Sequence, residues 1–215
     1  SALIGGTESS VVQYRGILQD IGNKLSEYAW QQQKLRKTFT SIAVEDQGAL
    51  TTIIGADYRS IVPLSVWDET LRRPLFGPVG DASWESLKAF TNTGPMYQYF
   101  ITQNHFLTNP ALPAGHTIGL IYESSYPFAS SSGMAQARIL DDTVVFLFPD
   151  VVISAELEWR WKKIKGEPWQ DDYNMSMSLI AKNIAKDTLP ILQLDAQRQE
   201  LRPGIWVPAG NWGVS

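Results

Sequence analysis

The stretch LEWRWKKIKGEPWQDDY, Leu157 to Tyr173, restricts what this chain can fold into more than any other. Pro149 suits a first helical turn and Gly166 a helix end, which predicts a helix over 149–165. On a helical wheel Ile153, Leu157, Trp161 and Ile164 share an arc of roughly 80°, and Val152, Ala155 and Trp159 share another. Trp159 and Trp161 diverge by about 200°, so the two arcs are centred on nearly opposite sides of the helix. Such a helix needs two dry partners. Each tryptophan can bury about 200 Å², and a second apolar face left bare would be a patch that monomers rarely tolerate. Either two other helices of the same chain sandwich it, or one arc faces the core and the other a neighbouring subunit. The packing set is therefore Val152, Ile153, Leu157, Trp159, Trp161 and Ile164.

The same stretch is rich in lysine, which raises nucleic-acid stacking as a reading. That chemistry needs aromatics and cations together on one exposed face, whereas the wheel separates them. Glu156 with Arg160 and Glu158 with Lys162 sit four apart in the favourable order, so much of the positive charge is locally compensated. Over the whole chain 18 Lys and Arg face 22 Asp and Glu, and a net charge of −4 repels phosphate.

Around this helix the chain reads as α+β. Residues 1–37 hold an N-terminal helix: Ser10 and Gln13 suit a capping box, and Tyr14, Ile17, Leu18, Ile21, Leu25, Tyr28 and Ala29 form one stripe, with Val12 and Trp30 off it. Residues 38–148 form a β-rich insertion whose strands are expected at TFTSIAV, LTTII, YQYFIT, HFL, TIGLIYE and TVVFLF, with a short helix near 81–90 carrying Trp84, Leu87 and Phe90. Asn104-His105 and Asp141-Asp142 suit tight connections, NPALPAG a hairpin loop and ASSSG a mobile surface loop. Residues 149–188 complete a helical hairpin whose second helix lays Trp169, Tyr173, Met177, Ile180 and Ile184 on one side. Residues 189–215 combine prolines and glycines with Ile205, Trp206, Val207 and Trp212, large apolar groups without a helix or strand of their own. This is the pattern of a segment ordered by docking on a partner, the alternative being that it wraps back onto its own domain.

Chemistry is sparse. The absence of cysteine removes disulfides, thiol nucleophiles and thiolate metal sites. His105 and His116 have no acidic or histidine partner at ligand spacing, which predicts turn or surface histidines and no metal. Asp141-Asp142 and Asp171-Asp172 have turn and helix-start explanations, LIGGTESS matches no phosphate-binding loop, and no Gly-x-Ser-x-Gly occurs. The expectation is a non-enzymatic protein without cofactors. No apolar run approaches the length of a membrane span, and the start SALIGGTESS lacks the pattern of an export signal.

Three stretches taken together, WDETLRRPLFGP from Trp67, PAGHTIGLIYES from Pro113 and LEWRWKKIKGEPWQDDY from Leu157, resemble in sequence, order and spacing a family of head-to-tail adaptor (connector) proteins of short-tailed bacteriophages. The likeness spans roughly residues 10 to 185. It implies a helical bundle interrupted by a β-rich insertion. It also implies a homo-oligomeric ring, normally of twelve copies, beneath the portal protein of the virion, assembled in the host cytoplasm. Such a ring extends the DNA channel, lets the genome pass through its lumen without sequence-specific binding, and offers a platform to a tail nozzle or tail tube protein. One departure is DDTVVFLFPDVV, which is more aromatic and β-branched than the acidic then leucine-rich stretch usual in the family, so a final strand is expected close to the helix. The tail is not covered by these motifs; docking of Ile205, Trp206, Val207 and Trp212 onto the portal rests on composition and position. Two rival classes are a carbohydrate- or peptide-binding module built on the eight tryptophans, and a hydrolase assembled from distant serine or aspartate residues.

Overall fold

The structure is a computed structural model and describes residues 9–28, 30–89, 96–141 and 143–187. It is α+β: an N-terminal helix and a C-terminal helical pair enclose a β-rich insertion. Helix α1 (Ser9–Ser26) buries Ile17, Leu18, Ile21 and Leu25, the centre of the expected stripe, while Tyr14 stays partly exposed at its edge. The helix stops at Ser26, and β1 (Lys34–Thr40) begins inside the region expected to be helical, four residues ahead of the expected boundary at 38. Because the chain turns after Ser26, the wheel no longer applies to Trp30. The indole is buried against Phe148 and donates its N–H to the Leu25 carbonyl at 2.8 Å, close to the end of α1.

The insertion holds β2 (Asp46–Ala49), α2 (Leu50–Ile53), β3 (Tyr58–Ile61), β4 (Trp67–Asp68), β5 (Arg73–Pro74), α3 (Asp81–Ala89), β6 (Gln98–Thr102), β7 (His105–Asn109) and β8 (Thr117–Ser124). Strand β8 is its axis. It pairs with β1 over the whole of Lys34–Thr40 on one side, and with β3 and β4 on the other; β4 then pairs with β5. A second sheet has the order β2-β7-β6. Leu50, Ile54, Ile61, Tyr99, Phe106, Ile118 and Leu120 fill the core of this module.

Two local readings are corrected. LTTII is a single helical turn, not a strand: Gly48 adopts φ 116°, the register with β7 shifts between Asp46 and Ala49, and the Leu50 N–H caps the Asn104 carbonyl at 2.7 Å. NPALPAG is not a hairpin loop, because the strands it joins, β7 and β8, belong to different sheets. The tight turn between β6 and β7 is formed by Gln103 and Asn104, both at positive φ, with His105 already in β7. Helix α3 agrees with expectation and stacks its buried Trp84 on Phe100; Phe90 lies outside the described residues, as does Ala29.

A third small sheet, β10 (Ala135–Gln136), β9 (Phe128–Ala129) and β11 (Val145–Phe146), leads into α4 (Asp150–Lys165) and α5 (Gln170–Asp187). The final strand near the helix is thus present. ASSSG forms the turn between β9 and β10, where the Ser130 and Met134 backbones are hydrogen-bonded. Gly166 closes α4 at φ 74°, its N–H reaching back to the carbonyls of Lys162 and Lys163. The second core gathers Ile17, Leu18, Ile21, Leu25, Trp30, Phe128, Phe148, Val152, Ile153 and Ile180 from both ends of the chain.

Gly22 is where α1 meets the small sheet. A Cβ there would stand 2.5 Å from Phe128 Cζ and 3.1 Å from Pro127 Cβ. Alanine favours helix over glycine by about 1 kcal/mol, but forcing a methyl group into a packed contact costs about 1–3 kcal/mol. Gly22→Ala is therefore expected to lower stability in chemical denaturation, against the direction of helix propensity.

Candidate functional site

Helix α4 carries the expected packing set. Val152 and Ile153 are buried, Leu157 and Trp161 pack on the helical core, and Trp159 lies half-buried on the α5 side. The two arcs do not face opposite ways into separate partners. Glu156 and Arg160 occupy the narrower gap between them on the wheel, and the structure buries that gap, fusing both arcs into one wide face. Trp161 meets Tyr14 of α1 edge-on at 6.3 Å; Trp159 meets Trp169 at 5.8 Å and Tyr173 of α5 at 5.2 Å. Both arcs thus find partners within the chain, with Trp159 and Trp161 each half-buried by them. Ile164 remains 48% exposed.

At the centre of the buried face the Glu156 carboxylate is inaccessible. It accepts from Ser176 Oγ at 2.6 Å, from Lys24 Nζ at 3.2 Å to each oxygen, and from Arg160 Nη2 at 3.1 Å. One carboxylate thereby ties α1, α4 and α5 together. Burial works to raise its pKa, but the Ser176 hydrogen bond and the Lys24 charge outweigh it, and the net shift is downward. On the outer flank Lys162 bridges Glu158 and Asp172, both at 2.9 Å, and its pKa is raised, first by the hydrogen bond to Asp172.

The cations and aromatics that the wheel separates are in contact in three dimensions. Lys24, Arg160 and Lys163 lie over the Trp159 ring at 5.6, 5.1 and 5.8 Å, Lys163 also over Trp169 at 4.9 Å, and Lys165 over Trp161 at 4.9 Å. These ring faces are already covered by the chain's own ammonium and guanidinium groups, which leaves little room for a stacked base. A shallow cleft of about 200 Å³ between α1 and α4 is lined by Ile17, Asp20, Trp159, Arg160, Lys163 and Ile164.

Among the described residues the tryptophans do not form one platform. Trp30 and Trp84 are core residues, and Trp159, Trp161 and Trp169 belong to the helical seam. Trp67 is 45% exposed and lies opposite Gly119 of β8. Beside it Glu69 reaches across Gly119 to pair with Arg36; a Cβ at Gly119 would lie 2.0 Å from Glu69 Oε1. Ile205, Trp206, Val207 and Trp212 lie outside the described residues.

Both histidines have carboxylate partners, brought to them from distant parts of the sequence. His116 Nδ1 is 2.7 Å from Asp68 Oδ2, with Asp68 inaccessible and its other oxygen accepting from the Leu71 N–H. His105 Nδ1 is 2.9 Å from Asp46 Oδ2, and Asp46 has a lowered pKa, chiefly through the hydrogen bond from the Gly48 N–H. The partners are 48 and 59 residues away in sequence, joined by β-sheet pairing, so no local motif could announce them. Asp57 gathers the Tyr122 hydroxyl at 2.9 Å and Ser124 Oγ at 2.8 Å, and burial together with that hydrogen bond pushes the Tyr122 phenol upward. No group of three or more potential metal ligands occurs among the described residues, and no helix among them is long and apolar enough to cross a membrane. No protein-family model and no curated protein matches the sequence.

Proposed function

We propose that this chain is a structural head-to-tail adaptor of a short-tailed bacteriophage virion, which assembles as a ring below the portal, extends the DNA channel and gives tail proteins a place to attach. The observation that supports it is the layout of the chain. The resemblance implied a helical bundle interrupted by a β-rich insertion, and α1 with α4 and α5 encloses such an insertion around a shared core. One of the three stretches that together carry the likeness, Leu157 to Tyr173, is also the seam of the helical unit. With most of both arcs packed inside the chain, the contacts between copies fall to surfaces still exposed, among them Ile164 of the first arc and Val12, Val151 and Met175 of the three helices. The test is reconstitution. Mixed with a purified portal, the chain is expected to appear as an added ring in two-dimensional class averages, and Trp206→Ala/Trp212→Ala to reduce attachment. Averages showing the portal alone would remove the adaptor reading, and unchanged attachment of the double variant would remove the docking role of the tail.

A second reading, a carbohydrate- or peptide-binding module, is favoured by Trp67. An open indole beside the Arg36–Glu69 ion pair combines an apolar platform with polar groups at its rim. Under this reading the protein is a monomer whose tryptophan fluorescence responds to oligosaccharides or peptides, and Trp67→Ala abolishes the response.

A further inference from the structure

Strand β1 is the outermost strand of its sheet: β8 pairs with it along all of Lys34–Thr40, and among the described residues no strand lies on its other side. The neighbouring hydrogen bonds decide which of its backbone groups point outward. The Ser41 N–H donates to the His116 carbonyl at 2.8 Å, so Ser41 and, by alternation, Phe39, Lys37 and Leu35 are the residues bonded to β8. On the far side of β8, the Ile121 carbonyl accepts from Val62 and the Thr117 carbonyl from Glu69. These two residues turn away from β1. Their partners Arg36 and Thr40, with Thr38 between them, therefore aim their N–H and C=O groups at the open edge.

The charges on this edge are one-sided. Lys34, Arg36 and Lys37 lie within the seven residues of β1 with no acidic residue among them, in a chain of net charge −4. Arg36 pairs with Glu69; among the described residues Lys34 and Lys37 have no carboxylate partner. Lys37 is exposed although it shares its face with Leu35 and Phe39, which pack on the core. A charge on the inner side of an edge strand discourages uncontrolled sheet extension. Two copies of this edge would set cation against cation. A strand bearing carboxylates instead turns the same charges into attraction, so the guard also acts as a selector.

We propose that the open edge of β1 is a docking site for an extended acidic segment of a partner protein, added to the sheet as a further strand with carboxylates beside Lys34 and Lys37. A nucleic acid fits less well, since phosphates accept from the outward N–H groups but give no donors to the carbonyls between them.

A synthetic peptide of repeated Glu-Glu-Val-Val, which as a strand carries carboxylates on both faces and so can meet Lys34 and Lys37 together, added to the full chain, tests this by amide hydrogen exchange. Arg36, Thr38 and Thr40 are expected to exchange about tenfold more slowly or better, and binding to weaken as salt rises. Lys34→Glu/Lys37→Glu is expected to weaken binding about tenfold or more, while Leu35 and Phe39 amides stay protected and so report an intact sheet. Binding without protection of those three amides overturns the proposal. So does equal protection by a lysine–valine peptide or by a single-stranded oligonucleotide. Protection of the edge in the free protein that grows with its own concentration would assign the site to a second copy instead, and overturn it likewise.

Discussion

Glu156→Ala is expected to destabilise the protein by about 3 kcal/mol, the lower end of the range for removing one partner of a buried ion pair. The lower end applies because the cations left behind, Lys24 and Arg160, keep some access to water, 27% and 16%, and can be partly rehydrated. In a domain of this size that corresponds to a fall in Tm of about 6–12 °C. The cost comes from stranded charge rather than from lost attraction, and a second variant separates the two. Replacing Lys24, Glu156 and Arg160 together by methionine, leucine and methionine is expected to restore most of the loss, since a well-packed apolar replacement of a buried network is often neutral. If the triple variant were as unstable as the single one, packing around Ser176 would be the dominant contribution instead. The same carboxylate sets a pH dependence. Its pKa is lower folded than unfolded, so its stabilisation is complete above the ordinary carboxylate range, about pH 4.3, and is lost as pH falls through the folded value. Denaturation midpoints measured from pH 7 downward should therefore drop more steeply in the parent chain than in Glu156→Gln.

Trp30→Ala is expected to cost about 3–5 kcal/mol, the range for emptying a buried indole site. Its ring lies between the end of α1 and Phe148, so the cavity would open where the helical core meets the chain entering β1. Trp30→Phe keeps most of the ring contact but removes the donor to the Leu25 carbonyl, and should cost about 1 kcal/mol beyond the packing change. Chemical denaturation of both variants checks the ordering. A smaller loss for alanine than for phenylalanine would mean that the site collapses around the truncated side chain.

The helical parts were legible because their periodicity is a property of contiguous residues. The stripe of α1 from Ile17 to Leu25, the face of α5 ending in Ile180 and Ile184, and the Gly166 stop all follow from local spacing and backbone conformation. Short strands were legible as vocabulary but not as pairings. LTTII has β-branched residues yet closes a helical turn, because the Leu50 N–H finds the Asn104 carbonyl from a distant hairpin. NPALPAG has hairpin composition, yet it links two sheets. The aspartate partners of His105 and His116 were invisible for the same reason: pairing across a sheet brings together residues whose separation in sequence carries no signal.

Local sequence determined that α4 would carry two apolar arcs flanking a charged stripe, because residues at fixed spacing on a helix take fixed angles whatever surrounds them. It also set Lys34, Arg36 and Lys37 close together, but only pairing with β8 made that stretch a strand rather than the end of the N-terminal helical region. Only the tertiary structure decided which side of α4 is buried. Lys24 from α1 and Ser176 from α5 satisfy Glu156, so the charged gap could leave water and carry both arcs inward with it. A buried carboxylate is tolerable only where partners from other elements converge on it, and convergence is a property of the folded chain rather than of any window along it.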